Sequence, residues 1–327
     1  MSFQRKSYAG SILITGGTSG LGFQAALEIA KACPECLVVL ASRSNKDATE
    51  QINDSLKQTN TTFQSLNLSS LSSVRAFASA WEAENYPPLR CLILNAGLQF
   101  PGGLVKTDNG LEATFAINHV GHALLFYLLT PYFEKEARII ITSSGTHDPD
   151  QKTGMPNAKY SSAQELAYPS DDMVNIDGRQ RYSSSKLANV LWTYALDRRL
   201  RMQKSARLTV NAFDPGLMPG TGLARAYGAM PRFIWSNVMP RLLPLLRLAL
   251  GTNNIHTTAN SGATLAWLAT SEELDGKSGL YFEGRRAIRS SLASYDREKQ
   301  DDLWSWTATH VAQTEEEEAK FRDLATL

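Results

Sequence analysis

Tyr182-Ser183-Ser184-Ser185-Lys186 sets a phenol and an ammonium four residues apart. On a helix that spacing puts both groups on one face. A neighbouring cation stabilises phenolate, so Tyr182 is a candidate acid or base near neutral pH. Thr15-Gly16-Gly17-Thr18-Ser19-Gly20-Leu21-Gly22 offers a second chemistry. Glycines permit a tight turn and close backbone approach, and a helix opening behind them would aim its N-terminal N–H groups at a pyrophosphate. The spacing is G-x-x-x-G-x-G and no Gly-Lys-Ser/Thr follows, which argues against the phosphate loop of a kinase or ATPase.

Both motifs need elements that hold them, and the hydrophobic pattern supplies these. The runs Ser11–Thr15, Leu37–Ala41, Thr62–Leu66, Arg90–Asn95, Arg138–Ser143 and Arg207–Phe213 are short, aliphatic and β-branched, and read as strands. Between them, Gly22–Ala32 and Leu71–Trp81 carry apolar residues at three- and four-residue spacing, the pattern of amphipathic helices. Alternating strands and helices predict an α/β, doubly wound parallel sheet of Rossmann type, covered on both faces. The chain, 1–327, reads as a single nucleotide-binding domain with a C-terminal helical extension. Residues 147–181 are polar, proline-bearing and aperiodic and read as an insertion, 218–256 as a substrate-covering segment, and 287–327 as a helical tail on which Glu315–Glu318 form a solvated face.

At the end of the second strand the chain reads Ala41-Ser42-Arg43-Ser44. A carboxylate here would accept hydrogen bonds from a ribose 2′-hydroxyl; without one, Arg43 and Ser42 suit a 2′-phosphate, and the cofactor is read as NADP(H). Composition closes off other functions. Of 327 residues 43% are hydrophobic and 20% charged, the balance of a folded chain, and 33 Lys+Arg against 32 Asp+Glu leave +1, no excess to attract nucleic acid. Three cysteines make no disulfide framework, and with no leader pattern the chain is expected to be cytoplasmic. Cys33-x-x-Cys36 lacks a second ligand pair, and His119 and His122 share a helical face without a third ligand, so no metal site is expected. No run is long enough for a transmembrane span. Pro231–Leu250 comes nearest, broken by three prolines and three arginines; it is read as covering the substrate, with peripheral membrane contact left open.

The order of the glycine string, Asn95-Ala96-Gly97, Ser143-Ser144 and Tyr182-x-x-x-Lys186 resembles the short-chain dehydrogenase/reductase family over roughly residues 10–285. The resemblance implies that Tyr182 exchanges the proton at the substrate oxygen and that Lys186 lowers its pKa and binds the nicotinamide ribose. It implies that Ser144, rather than Ser143, hydrogen-bonds the reacting oxygen and that Asn118 holds a water in the proton relay. Gly16, Thr18, Ser19, Gly20, Leu21, Gly22, Asn95, Ala96 and Gly97 would line the cofactor, with Asn67 and Leu68 at the adenine. Asn67 stands where the family commonly has Asp. Tyr160 lies closer to the usual serine–tyrosine spacing, but position 164 is Gln, so Tyr182 is preferred and the gap after Ser144 becomes an insertion.

Asn118-His119-Val120-Gly121-His122, the insertion and Asp301-Asp302-Leu303-Trp304 look like the retinol dehydrogenase and protochlorophyllide reductase branch. Pro215, Gly216, Leu217 and Thr221 then resemble its segment beside the nicotinamide. The leading expectation is an NADP(H)-dependent oxidoreductase acting on a carbonyl or alcohol of a bulky, apolar small molecule, in the reductive direction, as a monomer or homodimer. The alternatives are reduction of a conjugated C=C bond and a non-catalytic dinucleotide-binding regulator or scaffold.

Overall fold

The computed structural model describes residues 8–170, 174–203 and 207–324; small parts of the expected insertion and tail, 171–173 and 325–327, lie outside the described residues. Among the described residues eight strands form one sheet in the order β3-β2-β1-β4-β5-β6-β7-β8. They are β1 Gly10–Thr15, β2 Cys36–Ser42, β3 Thr61–Ser65, β4 Leu89–Leu94, β5 Phe133–Thr142, β6 Thr209–Asp214, β7 Leu280–Glu283 and β8 Arg286–Ile288. All neighbouring pairs are parallel except β7 and β8, which pair antiparallel. The six expected strands are present. The two at the far edge are additions, and their brevity and mixed polarity gave no run to recognise.

Side-chain alternation builds two cores, one on each face. Ile12, Ile14, Val38, Leu40 and Ile93 pack on helices Gly20–Ala32 and Thr258–Thr270. Leu13, Val39, Leu92 and Leu94 point the other way, onto helices Leu71–Glu84, Gly121–Leu129 and Gly178–Leu200. Cys36 and Cys91 belong to the first core. Among the described residues one helical stretch, Ala113–Tyr132, is long and apolar enough to cross a membrane, but 89% of its most apolar window is buried within the protein.

β1 lies between β2 and β4, so the chain leaves its carboxyl end on one side while its neighbour returns on the other. That reversal opens a crevice above the strand ends, where open α/β sheets bind ligands. Thr15 braces the opening. Its Oγ1 accepts the backbone N–H groups of Asn95 at 2.8 Å and Ala96 at 3.0 Å, while the Asn95 amide donates to Thr15 O at 2.9 Å.

The expected insertion is more ordered than its aperiodic sequence suggested. It contains the short helix Ala163–Ala167, and the long helix begins inside its boundary at Gly178. The segment is held from the tail: Asp302 accepts the Tyr160 hydroxyl at 2.7 Å and the Ala163 N–H at 2.8 Å. Tyr160 thereby spends its hydroxyl on Asp302, and it lines neither the crevice nor the cavity that Tyr182 borders. The tail forms helices Arg297–Val311 and Glu315–Asp323. Glu317 is not simply solvated, since it pairs with Arg75 at 2.7 Å and locks the last helix onto the domain.

Candidate active site

Glycines shape the crevice by close approach. A Cβ on Gly22 would sit 2.3 Å from Gly16 O, so the first helix can only start this near the strand if residue 22 has no side chain. Gly16 and Gly20 take φ of +67° and +56°, and nothing lies within 4 Å of where a Gly20 Cβ would be. Ser19 caps the helix without a side-chain hydrogen bond, so its hydroxyl does not block the N-terminal amides. This open, backbone-lined cradle at a 13-residue helix fits a dinucleotide pyrophosphate.

The crevice, about 290 Å³, is lined by Gly16, Thr18, Ser19, Gly20, Leu21 and Gly22, by Ser42 and Arg43, by Asn67 and Leu68, and by Asn95, Ala96 and Gly97. Lys46 and Arg225 join Arg43 at its walls, and among the described residues no carboxylate lines it. Burial lowers the Arg225 pKa and the Arg43 charge lowers it further, so the two guanidinium groups feel one another. Arg225 escaped the sequence reading because it lies far along the chain, in a segment without a periodic signal. The Asn67 carbonyl is taken by its own turn, accepting Ser69 N–H at 3.2 Å and Ser69 Oγ–H at 2.8 Å, which leaves the amide group for a ligand.

Tyr182, Lys186, Thr221 and Pro215 close the crevice, with Met218 and Leu223. Gly216 and Leu217, expected there, instead line the apolar cavity next door, because Leu217 pairs with Asn254 and His256 and turns away. Thr221 borders both spaces, its hydroxyl donating to Met218 O at 3.0 Å.

The two serines separate cleanly. Ser143 Oγ donates to the Lys186 carbonyl at 2.9 Å and fixes the helix, whereas Ser144 lines the apolar cavity together with Tyr182, its hydroxyl accepting Thr146 N–H at 3.3 Å. Lys186 Nζ donates to Thr142 O at 3.0 Å and lies 5.5 Å from the Tyr182 ring centre. Burial pushes the ammonium down to about 8. The Tyr182-x-x-x-Lys186 spacing predicts that this cation lowers the Tyr182 pKa; in the protein alone the phenol moves the other way. Burial raises it first and the Asp214 charge adds to this, with the nearby Ser144 hydroxyl opposing. Tyr182 is held protonated.

Asn118 sits in a π-helical turn, Ala116–Val120. Its side chain accepts Leu98 N–H at 3.0 Å and donates to Leu98 O and Ser185 Oγ, both at 3.0 Å. Its carbonyl faces His122 Nδ1 at 3.1 Å, and His122 Nε2 faces Thr15 Oγ1 at 2.8 Å. Asn118 borders neither cavity and acts as the joint between strand end and helix. Burial drives His122 to about 4 and His119 to about 3, so both imidazoles are neutral pins; His119 bonds Thr307 at 3.0 Å.

Behind Tyr182 lies the second cavity, about 530 Å³, walled by Met155 of the insertion and by Met230, Ile234, Trp235, Met239 and Leu250. Its floor carries Asp214, a buried carboxyl at the end of β6 that accepts Gly216 N–H at 2.9 Å and Asn254 Nδ2–H at 2.8 Å. Asp214 was not singled out from sequence, although a carboxylate just before a Pro-Gly turn at a strand end was the available signal.

Comparison with known proteins agrees with this geometry. Residues 11–164 match the short chain dehydrogenase family model, and residues 225–320 match that of the AcuH dehydrogenase domain. Polyprenol dehydrogenase of Danio rerio is 30% identical over 91% of this chain and 86% of its own. Short-chain dehydrogenase TIC 32 B, chloroplastic, of Brassica napus is 30% identical over 90% of this chain and 86% of its own. A solved structure from Mycobacterium paratuberculosis superposes with a TM-score of 0.66 at 25% identity, over 93% of this chain and 94% of the other. With both halves of the chain and nearly its whole length accounted for, the protein belongs to the short-chain dehydrogenase/reductase family of oxidoreductases, in its retinol dehydrogenase-like branch.

Proposed function

We propose that the protein is an NADP(H)-dependent reductase of a carbonyl group on a bulky, apolar small molecule. The observation that carries this reading is the place of Tyr182: it borders both the polar crevice and the apolar cavity, so its hydroxyl stands where a nicotinamide and a substrate carbonyl would meet. Bound NADPH would supply the hydride. Tyr182, protonated through burial, donates the proton to the developing alkoxide, and Ser144 hydrogen-bonds the same oxygen. Lys186 binds the nicotinamide ribose, and its cationic form supports proton return to Tyr182. Asn118 holds the relay in register through Leu98 and Ser185.

Selection of the phosphorylated cofactor rests on Arg43 and Arg225, with Lys46 near them and, among the described residues, no carboxylate on the crevice walls to repel a 2′-phosphate. The cavity's methionines, Ile234 and Trp235 suit an apolar substrate, and the Danio rerio relative, named for a polyprenol, is in keeping with that chemistry. The test is titration of the purified protein with NADPH and NADH, followed by turnover of aromatic ketones, quinones, aldehydes and retinoids read by nicotinamide absorbance. Tighter NADPH binding with carbonyl reduction is expected. Equal affinity for the two cofactors would overturn the NADP assignment, and a product saturated at C=C with its carbonyl intact would overturn the bond assignment.

A further inference from the structure

We propose that the outward face of residues 229–250 is a membrane-docking surface that seats the rim of the apolar cavity on an anionic lipid bilayer. The chain here folds as short helical pieces, Ala229–Phe233, Ile234–Val238, Met239–Arg241 and Leu243–Leu250, broken at Pro240 and Pro244. Of the thirteen large hydrophobic residues exposed among the described residues, eight lie in this stretch. Met230 is 74% exposed, Phe233 62%, Leu245 59% and Leu248 82%. A lid that only covered substrate would bury its apolar side inward and present polar groups to water. This one does both: Met230, Ile234 and Leu250 line the cavity while remaining 74%, 43% and 51% exposed, so they form its rim.

Charge selects the occupant. Between Asp214 and Glu272 the chain has no acidic residue, while Arg225, Arg232, Arg241 and Arg247 all fall within that interval. In a protein of net charge +1 such segregation is local rather than global. Aliphatic and aromatic tips whose charged neighbours in this stretch are all arginines match the interface of a bilayer, where apolar groups enter the acyl boundary and cations meet lipid phosphates. Arg247 also ties the last piece to the body, its guanidinium donating to Ile255 O at 2.6 Å, so the face is anchored beside the cavity. The docked orientation lets an apolar substrate pass from lipid to cavity without crossing water.

The test uses the full chain and vesicles of phosphatidylcholine with and without phosphatidylserine, read by co-sedimentation. It needs no turnover and therefore fails or succeeds independently of the catalytic reading. The protein is expected to bind the mixed vesicles and to release as salt rises. Phe233→Gln with Leu245→Gln and Leu248→Gln should weaken binding about tenfold or more, and Arg232→Glu with Arg241→Glu should remove the preference for phosphatidylserine. None of these residues lines the crevice or the cavity, and circular dichroism checks that each variant folds. Failure of the folded wild type to bind vesicles at low salt would overturn the proposal. So would binding indifferent to the substitutions, or a dimer by light scattering that the glutamine variant splits while neither form binds lipid.

Discussion

The crevice and the cavity meet at Tyr182, yet they are built on opposite terms. The crevice is made of backbone: Gly16, Gly20 and Gly22 leave space, Thr15 and Asn95 brace the strand ends, and the first helix contributes amides. The cavity is made of side chains, drawn from the insertion, the β6 end and the exposed 229–250 pieces. A cofactor whose shape never varies can be held by geometry that tolerates no added atom. A substrate wall can change by swapping side chains, which implies sharp sensitivity to substitution on one side of Tyr182 and graded sensitivity on the other.

The largest effect should fall on Tyr182, where the two spaces meet. Tyr182→Phe removes the proton donor and keeps the ring, so turnover should drop about a thousandfold while NADPH affinity changes little, as measured by kcat and by direct cofactor titration. If activity survived, proton transfer would have to be reassigned. On the crevice side, Gly22→Ala forces a methyl against Gly16 O, where the contact would be 2.3 Å. Backbone must shift, at a cost of about 1–3 kcal/mol of stability and with loss of most cofactor affinity, checked by urea unfolding and NADPH titration. Arg43→Ala tests the charge rather than the shape. Loss of one charge-assisted contact is expected to weaken NADPH about 10–100-fold and leave NADH almost unchanged. Arg225→Ala should act in the same direction.

These contrasts track what could be read from the chain. The crevice was legible because its constraints are local: glycines at fixed spacing after an aliphatic run, an arginine at the next strand end, a tyrosine and lysine one helical turn apart. Six strands were legible for the same reason, as short runs in which aliphatic and β-branched residues recur. β7 and β8 were not, because Leu280–Glu283 and Arg286–Ile288 gain their strand character from pairing with β6 and with each other. Arg225, Asp214 and the placement of Gly216 and Leu217 arise where distant segments converge, and no local pattern encodes convergence. The sign of the Tyr182 shift belongs with these. The lysine is near in sequence, but burial and the Asp214 charge set the direction, and both are tertiary facts.

That balance has a pH signature. The Lys186 ammonium, pushed down to about 8 by burial, is charged below that value and neutral above it. Because this pKa lies below that of an unfolded lysine, the unfolded chain holds more protons between about 8 and 10.5, and the cofactor-free protein gains stability as pH rises through that window. Activity should run oppositely. Carbonyl reduction is expected to fall as pH climbs past about 8 and the ammonium is lost. Lys186→Arg, which cannot titrate there, should move the alkaline limb upward even if it lowers the plateau. An unmoved limb would assign it to another group.

The smallest effect probes the seam between the two regions. Trp235 belongs to the cavity wall, and its indole Nε1 donates to Thr221 O at 2.9 Å, reaching the loop that borders the crevice. Trp235→Phe keeps an aromatic wall and removes that single hydrogen bond, whose net worth is about 1 kcal/mol. If the cavity wall only encloses substrate, KM should rise a few-fold and NADPH affinity should stay fixed. If the wall also steadies the cofactor loop, both should weaken together, by about fivefold at most. The second outcome is expected, because Thr221 faces both spaces and its own hydroxyl is already spent on Met218. Steady NADPH affinity in this variant would show that the cofactor side is complete without its neighbour, and the division between backbone-built crevice and side-chain-built cavity would be sharper than the structure suggests.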